Sequence, residues 1–388
     1  MNYRYVLPLM ATAVLEQTVV NIVRVTTTYR TFELGLSVIW LGVISAAIAI
    51  LPLLLAVMVG RFIDRGYLLQ SAWFGAGLLC VSCAGFALWP TLAGLLLFTA
   101  LLGLGHLMLV ISQQVLCTTD PTPGALERMI GNYMVANAVG QGLGPYIVGW
   151  IGGDLSVPPT QLLFTIGFAG SFLMLAAALF LRPGGPMKER AEKGGKPMPL
   201  RDILRLPGLT VILFVGMTVV SAQDLIVVYL PFLGAERGLT VEIVGTLLAV
   251  RAVASVASRF LFARLNQMIG HRWLMLSSVL VSAVSFGAIA APLPVYVMMA
   301  VVSVAGFAIG IAITATIASL LSLATAETRG TANSLRIMGN RAGQLVIPFS
   351  VGVVAGVTGS AGIFIIIGVS LGISAAVMAL GQKPPEKT

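Results

Sequence analysis

Apolar residues run through this chain in stretches of about 20, the length needed to cross a hydrocarbon core, and the polar residues gather between them. Hydropathy and helix breakers divide it into about twelve spans, at residues 5–28, 37–60, 68–88, 91–116, 129–152 and 161–181, then 207–230, 241–263, 273–290, 294–320, 334–357 and 361–380. Breakers fall at the expected ends: Trp89-Pro90, Asp120-Pro121, Pro158-Pro159, Pro231, Pro292, Pro294 and Gly359. One segment breaks the pattern. Residues 182–206, RPGGPMKERAEKGGKPMPLRDILRL, carry seven basic residues (Arg182, Lys188, Arg190, Lys193, Lys196, Arg201, Arg205) among Gly, Pro and Glu. That composition makes a solvated connector, closed by a short amphipathic turn from Leu200 to Arg205. It divides the chain into residues 1–181, the linker 182–206, and residues 207–388.

The two apolar parts are copies. Glu33-Leu34-Gly35-Leu36 recurs as Glu236-Arg237-Gly238-Leu239, and Gly60-Arg61 recurs as Ala263-Arg264. Asn137-x-x-Gly140-Gln141-x-x-x-Pro145 recurs as Asn340-x-x-Gly343-Gln344-x-x-x-Pro348. All three matches share one offset, since 236 − 33 = 263 − 60 = 340 − 137 = 203. Six spans before the linker therefore correspond to six after it, in the same orientation. Parallel repeats of this kind enclose a cavity about an axis along the membrane normal.

Composition agrees: 58% of residues are hydrophobic, 10% are charged and mean hydropathy is +0.99, beyond the roughly 45–50% apolar share of soluble domains. The net charge of +9 does not imply nucleic acid, because no basic stripe is interleaved with aromatics. Arg4, Arg61, Arg65, Arg128, the linker's basic residues, Arg264, Arg272, Arg329, Lys383 and Lys387 fall on one side of the membrane, against Arg30 and Arg237 on the other. The positive-inside rule then places both termini in the cytoplasm, for a multi-pass protein of the cell's inner membrane. Ala11-Thr12-Ala13 mimics a signal-peptide cleavage site, but the apolar pattern continues past it and reads as a retained first span. Cys80, Cys83 and Cys117 lack acidic or His neighbours at ligand spacing, so no metal is expected. No phosphate-binding Gly-Lys loop is present, so neither a cofactor nor ATP hydrolysis is expected.

Gly60-Arg61-Phe62-Ile63-Asp64-Arg65 resembles the G-x-x-x-D-R signature of the major facilitator superfamily. Gly131-x8-Gly140-x3-Gly144-Pro145-x2-Val148-Gly149 resembles that superfamily's antiporter motif, with Val148 as the departure. With the repeat, the resemblance covers essentially the whole chain. It implies an all-α membrane protein of two pseudo-symmetric six-helix bundles and alternating access, and no enzyme. It gives gating parts to Gly60, Asp64, Arg65, Gly140, Gly144 and Pro145, with Arg336 the candidate partner of Asp64 in the outward-open state. Two departures weaken such a latch: the closing basic residues are missing after Gly66, and Gln267 stands where the second copy would carry its Asp.

Ionisable residues inside spans are the functional candidates, because leaving one facing lipid costs about 2.5–3.5 kcal/mol. Glu16 and Arg24 lie on the first span, His106 on the fourth, Asp224 on the seventh, Arg251 on the eighth and Arg341 on the eleventh. By the resemblance the first, fourth, seventh and tenth spans line the cavity, which makes Glu16, Asp224 and His106 candidates for proton coupling. The fourth span lacks the arginine many proton-coupled exporters of the family carry. Gln17, Asn21 and Arg24 form one stripe at helical spacing. Gln113, Asn137, Gln141, Arg251, Asn340, Arg341 and Gln344 complete the expected substrate-binding set. Alternatives stand beside these: snorkelling for Arg24, a structural ion pair for Arg251 near Ser255 and Arg259, and a helix-bridging hydrogen bond for His106. The leading expectation is a monomeric, proton-coupled exporter of small organic molecules with a largely apolar cavity. The alternative is an organic-anion carrier, with import as one of its directions, suggested by the excess of Arg24, Arg251 and Arg341 over Glu16 and Asp224.

Overall fold

A computed structural model describes residues 3–119, 125–184, 208–323 and 329–381. The linker from residue 185 onward lies outside them, as do Asp120-Pro121, Lys383 and Lys387. The described residues form helices: α1 (Tyr3–Glu33), α2 (Val38–Asp64), α3 (Leu68–Leu88), α4 (Leu92–Cys117), α5 (Ala125–Gly152), α6 (Thr160–Leu179), α7 (Leu209–Glu236), α8 (Val241–Ile269), α9 (His271–Ile289), α10 (Val295–Leu323) and α11 (Arg329–Gly381). α11 is interrupted at Gly359, whose φ of 70° and ψ of −179° end one helix and start another. It therefore supplies two limbs, and twelve helical segments result. Ten are long and apolar enough to cross a membrane. The other two are α5 and residues 329–358, which carry the repeated Asn-Gln motif and are the more polar for it.

Helix ends follow local chemistry. Thr91 and Thr240 cap α4 and α8, their hydroxyls accepting from the backbone N–H of Gly94 and Ile243. The repeated Glu-x-Gly-Leu element is a helix stop. Gly35 and Gly238 take φ of 64° and 66°, and the N–H groups of Leu36 and Leu239 reach back to the carbonyls of Thr31 and Gly234 at 3.1 and 2.9 Å. Pro231, expected to end a span, instead sits inside α7; a proline near a helix end removes a single N–H and the remaining ladder holds. Arg30 and Arg237, expected in loops, are helix-end residues. Arg30 Nε donates to Pro90 O at the end of α3, and Arg237 donates to the carbonyls of Ile289, Ala290 and Ala291 at the end of α9. Outside the spans, burial against α9 lowers the Arg237 pKa and neighbouring Glu236 opposes that shift.

α1–α6 form one six-helix bundle and the remaining six segments the other. A core drawn almost wholly from α1–α6 includes Leu9, Leu79, Leu102 and Phe164. The bundles meet along α1–α7, α2–α11 and α5–α8. The last two seams are one contact made twice. A Cβ on Gly245 would lie 2.6 Å from Gly149 Cα and 2.6 Å from Pro145 O; one on Gly42 would lie 2.9 Å from Gly352 Cα and 2.7 Å from Pro348 O. The residues correspond at the offset of the sequence repeat, 245 − 42 = 352 − 149 = 348 − 145 = 203. At the face where α1 ends, the seam is closed further. Val241 N–H donates to Leu155 O at 2.8 Å and Glu242 N–H to Gly153 O at 3.1 Å, while Phe32 and Phe232 meet edge to face at 5.6 Å. Asp64 and Arg65 lie at the other, basic face, at the exposed end of α2.

Gly245→Ala should lower stability by about 1–3 kcal/mol through overpacking of this seam, read as a fall in thermal unfolding midpoint. Gly77→Ala, where a Cβ meets nothing within 4 Å, should leave the midpoint unchanged or raise it.

Candidate functional site

Between the bundles lies a cavity of about 110 Å³. α1 contributes Gln17, Asn21 and Arg24, α4 His106, α5 Gln141, α7 Ser221, Gln223 and Asp224, α8 Arg251, and α11 Arg341 and Gln344. Nine residues of the expected binding and coupling set are thus brought together. The wall is polar and basic, which corrects the expectation of a largely apolar chamber. The mean composition of the helices misleads because much of it faces outward: Leu54, Val57 and Met58 of α2 are all exposed.

An ion pair joins the bundles across the cavity. Arg24 Nη1 donates to Asp224 Oδ1 at 3.0 Å, with the two side chains 16% and 19% exposed, and Nη2 donates to the Asp224 carbonyl at 3.3 Å. Arg24 is therefore a cavity cation and does not snorkel. Gln344 Nε2 donates to the second Asp224 oxygen, and Arg341 Nη1 donates to Gln344 Oε1 at 2.9 Å. Asp224 is thus held by three contacts, two to its carboxylate and one to its backbone carbonyl.

Arg251 is 1% exposed, and its Nε and Nη1 have no hydrogen-bond partner among the described residues. It forms no ion pair there, so the alternative of a structural pair at the seam finds no support among the described residues; Arg259 donates to Met134 O of α5 at 3.2 Å. α10 fixes the backbone beneath it, since a Cβ on Gly306 would lie 2.4 Å from Arg251 O. In the first copy Gly103 meets Ile48 O in the same way, and 306 − 103 = 251 − 48 = 203. Arg251 and Ile48 are hence repeat equivalents on opposite walls of one cavity.

Glu16 is wholly buried beside the cavity. Its Oε1 lies 2.8 Å from His106 Nδ1, and His106 is 17% exposed; Glu16 Oε2 has no partner among the described residues. Gln113 and Asn137 are buried off the cavity wall, and Gln113 Oε1 and Nε2, Asn137 Oδ1 and Asn340 Oδ1 are unpartnered there. The gating candidates divide. Gly140 and Gly144 pack on α1, where a Cβ would lie 2.4 Å from Val14 O and 2.8 Å from Asn21 Cβ, and Pro145 lies on the α5–α8 seam. Gly60 has nothing within 4 Å of a Cβ. Asp64 takes part in none of the ion pairs among the described residues. Arg336 lies half-buried on the first limb of α11.

Ser45, Ser221 and Gln223 line the cavity too and were not singled out from sequence. For Gln223 a signal existed: it falls beside Asp224 on the seventh span, facing Val20 in the repeat, as 223 − 20 = 203.

A polar cavity between two bundles of long apolar helices is the arrangement of a membrane transporter. The family model of the Major Facilitator Superfamily matches residues 7–240 and 212–388, and the chain belongs to that superfamily. Among solved structures, it is similar to a variant of the nucleoside transporter NupG (TM-score 0.78, 12% identity, covering 97% of this chain and 99% of that one). A bacterial homologue of the human lysosomal transporter Spinster, inward-facing and occupied, gives a TM-score of 0.77 at 16% identity, covering 97% of this chain and 96% of that one. A POT family transporter in complex with 5-aminolevulinic acid gives 0.76 at 13%, covering 96% and 95%. At these identities the likeness is one of fold. A comparison with curated protein sequences finds no match.

The Arg24–Asp224 pair should show coupling in a double-mutant cycle. Arg24→Gln and Asp224→Asn should each destabilise the protein, and the double variant should be less destabilised than their sum by about 0.5–3 kcal/mol. Strict additivity would mean that the two side chains do not interact.

Proposed function

We propose that this chain is a secondary carrier of small organic anions, coupled to protons through Glu16 and His106. The observation that supports this most is the charge balance of the cavity wall. Arg24, Arg251 and Arg341 face a single carboxylate, Asp224, which is already engaged by Arg24 and Gln344. Arg251 has two donors uncommitted in a buried setting. An isolated guanidinium there is costly, and a carboxylate that accepts two parallel N–H bonds offsets that cost with the right geometry. Arg251 and Arg341 are therefore assigned the substrate's charged end.

The Glu16–His106 pair suits the coupling role because it joins a wholly buried carboxylate to a cavity-facing imidazole. A proton taken from the cavity by His106 has Glu16 behind it. Adding that proton makes the wall more positive, so protonation and anion binding reinforce each other. This electrostatic sign favours co-movement of proton and anion. Exchange, and hence efflux, is the second reading, favoured by the resemblance of the α5 glycines and Pro145 to the antiporter motif. We take the basic face as cytoplasmic, the chain as monomeric, and residues 1–181 and 207–388 as the two moving units about the linker 182–206.

Proteoliposomes test this with radiolabelled carboxylates. Arg251→Gln or Arg341→Gln should lower binding at least tenfold. Glu16→Gln should spare binding at acid pH and abolish acceleration by a proton gradient. Binding by wild type should weaken as pH rises, and His106→Gln should flatten that dependence. Outside acidification that speeds uptake supports co-movement; acidification that drives efflux supports exchange. Unchanged binding in both arginine variants would refute the anion assignment.

A further inference from the structure

A second, smaller cavity of about 20 Å³ lies between α1, α2, α4 and α7. It shares Arg24, Ser45 and Ile48 with the main cavity, so the two are adjoining compartments. Their characters are opposite. The small one is walled by Leu41, Ile44, Phe86, Leu102 and Val228, all buried. Thr27, Thr28 and Thr99 also border it; the hydroxyls of Thr27 and Thr28 are committed to their own helix, donating to Val23 O at 2.7 Å and Arg24 O at 3.3 Å. The guanidinium of Arg24 is turned to Asp224, leaving its aliphatic stem at the boundary.

The residues around this space differ between the two copies. Ser45 corresponds to Leu248 and Thr27 to Leu230, as 248 − 45 = 230 − 27 = 203. Both leucines are wholly buried in the core of the second copy. At these two positions the first copy carries the smaller side chain, whereas Phe86 and Leu102 correspond to the smaller Ile289 and Ala305, so the two copies pack differently around this space. Apolar space of this size is a poor site for water.

We infer that this annex receives the apolar end of the transported anion, while Arg251 and Arg341 hold the charged end. The substrate class is then a short monocarboxylate with an aliphatic or similarly apolar tail, in preference to a polyanion or a polyhydroxylated acid. Ile44, Leu102 and Val228 set the tail length. This deepens the anion-carrier reading and rests on it. The volume has room for about one or two methyl-sized groups, so selectivity should be steep over a narrow range of chain lengths.

The experiment measures affinities of the purified full chain for straight-chain acids from acetate to octanoate, with matching ω-hydroxy acids and alcohols as controls. Affinity should rise about fourfold for each methylene entering the annex, then stop rising within about two carbons. The ω-hydroxy acid of the best length should bind at least tenfold more weakly than its parent, and the alcohols should not bind. Val228→Ile should move the optimum one carbon shorter and Leu102→Val one carbon longer. Affinity independent of chain length in wild type, or ω-hydroxy acids binding as well as their parents, would overturn the annex. If that result comes with binding that Arg251→Gln abolishes, the anion-carrier reading survives and only the annex falls. If no acid binds wild type, both fall together.

Discussion

A guanidinium inside a membrane protein has to be paired or wetted, and the centre of this molecule is arranged around that requirement. Arg24 is met by Asp224 from the other bundle, Arg341 by Gln344 two contacts along the same chain of donors, and Arg251 by nothing among the described residues. The helices hold these side chains in place through contacts that allow little slack. Gly306 lets α10 lie against the backbone of Arg251, and the glycines of α2, α5, α8 and α11 bring the bundles into backbone contact. The net result is a cavity with more positive than negative charge.

The scaffold repeats, whereas the chemistry does not. Helix stops at Gly35 and Gly238, seams at Gly42–Gly352 and Gly245–Gly149, and close approaches at Gly103 and Gly306 all recur at one offset. Every charged group at the cavity departs from that regularity. Arg24 corresponds to Val227, Asp224 to Asn21, Arg251 to Ile48, Arg341 to Ala138, His106 to Ile309 and Glu16 to Val219, each pair separated by 203 residues. Backbone contacts repeat from one half to the other. Breaking the equivalence at the wall gives the cavity a charged side and an apolar side. Alternating access needs the first property and selectivity the second.

Much of this was legible in the sequence. Span length, the repeat and the two superfamily motifs carried the fold, because each follows from the bilayer's thickness or from a short local pattern. The charged cavity residues were legible too, since an ionisable residue in an apolar span has few explanations. What the sequence hid was long-range. The Arg24–Asp224 pair links positions 200 residues apart, and no local signal separates that arginine from one that snorkels. Ser45 and Ser221 look like ordinary small residues of packed helices until the cavity is seen. The apolar chamber was an error of averaging, because composition along a helix mixes lipid-facing and cavity-facing sides. Pro231 misled for a different reason: a proline close to a helix end costs too little to stop it.

The most direct test of the central claim is to locate a bound anion. Diffraction or electron microscopy of the protein with a bromine-labelled short-chain carboxylate should place the carboxylate between the guanidiniums of Arg251 and Arg341, with the bromine towards Ile48 and Leu102. A carboxylate found elsewhere in the cavity, or a bromine lodged among the arginines with the acid group pointing away, would contradict it.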